Sequence, residues 1–158
     1  TGPRFADAFR RAAAAGLKRT VHAGESSGPE GVRDAIERLG ADRIDHGVRA
    51  IEDPALVAEL AERGIALGVC PTSNLVLKVV RSMAEHPVEA LRRAGVRVSI
   101  NTDDPSLLGT TLPEEYARCR RAFGWDDAVL RAIAATSIAS SFADDTTRRR
   151  LQAALAAW

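Results

Sequence analysis

The sequence predicts an α/β fold with a parallel sheet, and three observations carry that prediction. Short apolar runs alternate with longer amphipathic stretches along the chain. One run, Ile65 to Val69, is apolar throughout, as a strand covered on both faces must be. Glycines close successive helical patterns at Gly16, Gly40, Gly64 and Gly95. Strands and helices in strict alternation give right-handed crossovers between parallel neighbours.

Arg4 to Ala15 sets Phe5, Ala8, Phe9 and Ala12 at helical spacing, and Lys18 to His22 follows as a short strand. Gly28-Pro29 opens the next helix, with Val32, Ala35, Ile36 and Leu39 as its apolar face. Arg43 to Asp45 is the second strand. Asp53-Pro54 then reads as an N-cap followed by a first-turn proline, starting a helix with Leu56, Val57 and Leu60 on one side. Ile65 to Val69 is the third strand, Pro87 to Ala94 a helix, and Val96 to Ile100 the fourth strand. Three helices complete the chain: Leu112 to Phe123 behind Thr111, Asp127 to Ala139 behind Asp126, and Thr147 to Ala156 behind an Asp-rich cap. Two architectures accommodate this order, an open doubly wound sheet and part of a closed (β/α)₈ barrel. Gly24 and Gly28 make neither a dinucleotide fingerprint nor a phosphate-binding loop, so the usual mark of the open sheet is missing.

Composition narrows the function classes. At 158 residues the chain has the size of a single domain, and 46% hydrophobic with 27% charged residues excludes disorder. Aromatic residues are only 4%, so the core must be mainly aliphatic. Lys and Arg number 22 against 21 Asp and Glu, a net charge of +1, which favours neither nucleic acid nor a membrane surface. Two cysteines, Cys70 and Cys119, are too few for a disulfide framework and fit a reduced, cytoplasmic protein. No apolar run approaches the roughly 20 residues of a membrane span. The chain starts at Thr1 rather than Met, directly before a helical pattern, which raises the expectation of a removed upstream portion.

The chemistry-bearing residues follow the strands. Strand one runs into His22-Ala23-Gly24-Glu25 and strand two into Asp45-His46-Gly47. Strand three runs into Cys70-Pro71-Thr72-Ser73-Asn74, and strand four into Asn101-Thr102-Asp103-Asp104-Pro105. Singly, Asp45-His46-Gly47 would be a turn and Asp103-Asp104-Pro105 a helix cap. Together they occupy the carboxyl ends of adjacent parallel strands, the face on which such folds place their sites. Two imidazoles with carboxylates suit zinc, which lowers the pKa of a bound water to about 7 and makes it a nucleophile at neutral pH.

The segments HAGE (22–25), RIDHG (43–47), CPTSN (70–74), SMAEHP (82–87) and SINTDDP (99–105) resemble the adenosine/AMP deaminase family of zinc hydrolases. The resemblance implies a (β/α)₈ TIM-type barrel that replaces the 6-amino group of a purine and releases ammonia. His22 is similar to a zinc-binding histidine and Asp103 to the zinc-binding aspartate. Glu25 matches the proton donor to ring N1. His46 matches the histidine beside the attacking water, as base or electrostatic orienter. Asp104 resembles the aspartate that binds purine N7, and Ser73 and Asn74 would stand behind these groups. Zn²⁺, about one per complete chain, is the implied cofactor, and a small purine the implied substrate. The motif forms favour adenosine, with adenine and aminodeoxyfutalosine as alternatives.

The family pattern begins with H-x-H on its first strand, and the chain has none. The resemblance therefore covers strands five to eight and the terminal helices only, making residues 1–158 the C-terminal half of a deaminase barrel. Its expected partner is the N-terminal half; a catalytically incomplete assembly module is the non-enzymatic alternative. His86, the remaining histidine, is expected to be a helix cap or surface residue rather than a substitute ligand. The cytidine-type deaminase pattern is excluded, because His22 and Glu25 do not form H-x-E and no P-C-x-x-C is present.

Overall fold

Four strands, β1 (Thr20–Ala23), β2 (Arg43–His46), β3 (Ala66–Val69) and β4 (Arg97–Ile100), pair in parallel in the order β1-β2-β3-β4. They belong to a computed structural model that describes residues 3–158. Thr1 and Gly2, where the sequence implies an upstream portion, lie outside the described residues. The strand order decides between the two architectures. Every crossover advances one place in the same direction, whereas a doubly wound sheet reverses at a switch point. A sheet wound only one way keeps its helices on one face and turns the other toward a common interior, as a barrel does.

The register shows both faces. Val21, Ile44, Leu67 and Val98 form one row across the sheet, all buried beneath the helices. His22, Asp45, Gly68 and Ser99 form the next row, on the interior face. The helical layer contains α1 (Ala6–Ala14), α2 (Pro29–Glu37), α3 (Pro54–Arg63), α4 (Pro71–Val76), α5 (Val88–Arg93), α6 (Pro105–Leu108), α7 (Leu112–Phe123), α8 (Asp127–Ala139) and α9 (Asp145–Ala156). Its inner faces bring Val32 and Ile36, Leu56 and Leu60, Val88 and Leu91, and Leu130 and Ile133 to one aliphatic core. Burying such side chains contributes about 1.5–3 kcal/mol each before entropy is counted.

Capping follows the sequence closely. The Asp53 carboxylate accepts from the Ala55 and Leu56 N–H groups at 3.0 and 3.1 Å. Thr111, Asp126 and Asp144 accept in the same way from Glu114, Val129 and Thr147. The last helix begins at Asp145, two positions before the expected Thr147, because Asp144 is the residue that caps it. Four short pieces depart from the sequence reading: α4, α6 and the 3₁₀ turns Val48–Glu52 and Met83–Glu85. None exceeds 6 residues, too few to display a helical apolar repeat, and α4 and α6 start at prolines that read equally well as turns. Among the described residues no helix is long and apolar enough to cross a membrane.

Candidate active site

Four strand ends converge at the carboxyl edge of the sheet. The β1–β2 ladder is extended there by the Gly47 N–H donating to the Ala23 carbonyl at 2.8 Å and the Arg49 N–H donating to Gly24 at 2.9 Å. The close passage depends on glycine. Gly24 and Gly47 both have positive φ, and a Cβ on Gly24 would lie 3.1 Å from the Gly47 Cα. One on Gly47 would lie 2.6 Å from Leu67. Glycine adopts that backbone without a Cβ penalty.

His46 reaches the site by breaking the alternation of its strand. Period two would put it beside Ile44, under the helices. Its φ of 65° instead turns the ring to the interior, where its centroid is 5.2 Å from that of His22. Asp103 has φ 60° just beyond β4. Left-handed backbone at a non-glycine residue costs about 1–3 kcal/mol and persists where surrounding structure holds it. Here it delivers two of the chemistry-bearing side chains.

The structure brings together four of the residues expected at the site. His46 Nε2 lies 3.7 Å from Asp103 Oδ2, and His46 Nδ1 lies 3.3 Å from Glu25 Oε1. Ligand atoms of His22, His46 and Asp103 all fall within 4.8 Å of one another. His46 is 1% exposed, whereas the His22 side chain is 67% exposed on the open interior face. Glu25 Oε1 is buried with no hydrogen bond, beside the His46 ring. Asp104 precedes α6 as an exposed residue whose carboxylate makes no cap bond; its backbone carbonyl takes the Leu107 and Leu108 N–H groups instead. Ser73 and Asn74 are buried in α4, Ser73 Oγ without a partner and Asn74 bonded to His46.

Three contributors were not anticipated from sequence. Asp45 stands on the Nδ1 side of His22 at 3.9 Å and accepts from the Thr20 hydroxyl at 2.7 Å, holding a carboxylate behind that imidazole. Its place directly opposite His22 in the β1–β2 register was the available signal. Glu115 on α7 is fully buried, accepting from the Thr72 N–H and the Thr110 hydroxyl at 3.1 and 2.6 Å. His86, expected as a helix cap or surface residue, is only 3% exposed and accepts from the Val88 N–H at the start of α5. Desolvation pushes its pKa down to about 4.

The donor set fits a metal. Two imidazoles and a carboxylate lie close together at strand ends, with the further carboxylate of Asp45 3.9 Å behind His22, a combination that suits zinc. Cysteine chemistry does not fit. Burial, reinforced by Asp103 and Asp45, pushes the Cys70 thiol up to about 12, and burial does the same to Cys119.

Comparison with known proteins agrees with this geometry. The model of the family described as adenosine deaminase matches residues 1–158. An adenine deaminase of Agrobacterium fabrum is 49% identical over 151 residues, covering 96% of this chain and 46% of the relative. An aminodeoxyfutalosine deaminase of Streptomyces avermitilis is 47% identical over 160 residues, covering 99% and 45%. The crystal structure of adenine deaminase from Arthrobacter aurescens superimposes with TM-score 0.95 at 34% identity, over 99% of this chain and 48% of that one. A zinc-bound amidohydrolase from Burkholderia ambifaria gives TM-score 0.88, also at 34% identity, over 96% and 43%. The chain thus spans about half the length of the curated relatives it matches.

Proposed function

Because the chain belongs to the adenosine deaminase family, we propose that residues 1–158 form the C-terminal half of a (β/α)₈ barrel that deaminates a 6-aminopurine. The N-terminal half is its partner in that barrel. The observation that carries the reading is the convergence of His22, Glu25, His46 and Asp103 at adjacent strand ends, with Glu25 Oε1 buried and unbonded.

His22 and Asp103 would hold zinc together with ligands from the preceding half. When bound, the ion supplies a water activated toward nucleophilic attack at neutral pH. Glu25 delivers a proton to purine N1, which draws electrons from C6. His46 orients the attacking water. Asp104 holds N7 and fixes the ring. Water adds at C6, the C6–N bond breaks, and the amino group leaves as ammonia, so atoms and charge balance. Proton transfer by a positioned acid of this kind contributes about 10²–10⁴ in rate.

The substrate carries an adenine ring. Relatives named for adenine and for aminodeoxyfutalosine match at 49% and 47% identity, so this half favours neither, and adenosine remains a third candidate. The test is kcat/KM of the zinc-loaded full-length protein on all three compounds, read as ammonia release. At least one is expected to turn over, with Glu25→Gln about 100-fold or more slower at unchanged zinc content. Absence of turnover on every 6-aminopurine would overturn the reading.

A further inference from the structure

Behind His46 runs a chain of hydrogen bonds with only one possible direction. It starts at the Val88 N–H, which can only donate, and which points at His86 Nδ1 at 3.2 Å. That nitrogen therefore carries no hydrogen, and the hydrogen of the His86 ring is on Nε2. His86 Nε2 lies 3.2 Å from Asn74 Oδ1, so it donates and the amide oxygen accepts. A flipped amide would set two donors against each other. The Asn74 amide nitrogen is thereby directed to His46 Nδ1, 3.3 Å away, and donates to it. All three side chains are sealed from water, at 3%, 0% and 1% exposed, so no solvent molecule is at hand to reverse a link.

We propose that His86 and Asn74 are positioning residues that fix His46 in the tautomer with its hydrogen on Nε2, through the one-way chain Val88 N–H → His86 → Asn74 → His46. This rests on the deaminase reading of the site and adds a division of labour among its residues. The ring nitrogen of His46 that faces Asp103 carries a hydrogen, so it acts as a donor toward the reacting side rather than as a metal ligand. His46 thus leaves the metal to His22 and Asp103, although its position alone would admit it to the ligand set. A second consequence concerns Glu25. With His46 Nδ1 already accepting from Asn74, no N–H is offered to Glu25 Oε1 at 3.3 Å, and that oxygen stays available for a substrate atom.

Asn74→Asp is the sharpest test because it keeps the shape and reverses the polarity. A carboxylate accepts from His86 and from His46 alike, which draws a hydrogen onto His46 Nδ1. In the zinc-loaded full-length protein, ¹⁵N-histidine NMR reads the tautomer directly, with the His46 resonance assigned by its loss in His46→Gln. The expected result is an Nε2–H ring in the wild type and Nδ1 protonation in Asn74→Asp. The variant's kcat is expected to fall about 100-fold with KM little changed, as when an imidazole is held in the wrong tautomer. His86→Leu releases the amide and splits the His46 signal between tautomers, while His86→Gln, which can still donate to Asn74, restores the single signal and most of the lost rate. An unchanged His46 resonance in Asn74→Asp, or wild-type kcat in His86→Leu, overturns the proposal. If the wild type turned over no purine, the functional reading would fall, and the resonances alone would decide the relay.

Discussion

His46 shows how much of this site is decided one side chain at a time. Alternation assigns it to the helix-covered face, and a single left-handed backbone angle moves it to the interior beside His22. His22, Glu25, His46 and Asp103 were legible in the sequence because they all lie at or just beyond the carboxyl ends of strands, and strand ends of a parallel sheet share one edge. His86 was not. Its place depends on a contact with Asn74, 12 residues earlier, and on burial that no local pattern reports. That burial has a consequence for stability. Desolvation pushes the ring down to about 4 from 6.5, so between those values the unfolded chain binds the extra proton and the folded chain does not. Stability therefore rises with pH across that window, is fully present above about 6.5, and is lost as pH falls toward 4. The gap corresponds to about 3 kcal/mol in all, of which about 2 kcal/mol disappears between about pH 7 and about pH 5. Urea unfolding of the wild type and His86→Gln at both pH values checks this, since the variant lacks the titrating ring and is expected to lose about 2 kcal/mol less. Parallel pH dependence in the two proteins would contradict it.

Long elements were legible and short ones were not, for a physical reason. Helices such as α3 and α7 carry a cap, an apolar face and a glycine stop, three signals that reinforce one another. α4 and α6, at 6 and 4 residues, carry a proline start and little else. Their stability comes instead from tertiary ties, and Glu115 is the clearest. From α7 its carboxylate takes the Thr72 N–H in the first turn of α4 and the hydroxyl of Thr110, which follows α6. One buried side chain thus links the two short helices that flank the site. Glu115→Gln is expected to be tolerated within about 1 kcal/mol, because its oxygen can face the Thr72 N–H while the Thr110 hydroxyl rotates to accept from the new amide. Glu115→Ala leaves that N–H buried and unpaired beside a cavity, and is expected to cost about 2–4 kcal/mol. Chemical denaturation of both variants distinguishes the two costs; equal losses would mean that the carboxylate itself, which neither variant keeps, rather than side-chain volume, is what Glu115 provides.

Sequential strand order has a cost at the edges of the sheet. Among the described residues β1 pairs only with β2 and β4 only with β3, so both outer ladders end in unpaired backbone groups there, and the interior face that carries His22 is open. A barrel closes such edges by pairing each with a further strand, and open edges template association with other chains. The net charge of +1 provides little repulsion against that. The proposed metal site points the same way. Once His46 is committed to donating from Nε2, His22 and Asp103 are two ligands where a catalytic zinc takes three or more. The preceding half-barrel proposed above would meet both needs, closing the edges with further strands and completing the ligand set with further imidazoles. The chain covers 46% and 45% of the lengths of its adenine and aminodeoxyfutalosine deaminase relatives. Residues 1–158 produced alone are therefore expected to self-associate and to release zinc readily on dialysis against a mild chelator. The same residues joined to the preceding half should elute as discrete barrels that retain about one zinc each. Light scattering coupled to size exclusion, with zinc measured across the peak, tests both expectations in one experiment. A monomeric 158-residue species that keeps one zinc through dialysis would show that this half completes its own site, and the two-half account of the molecule would have to be abandoned.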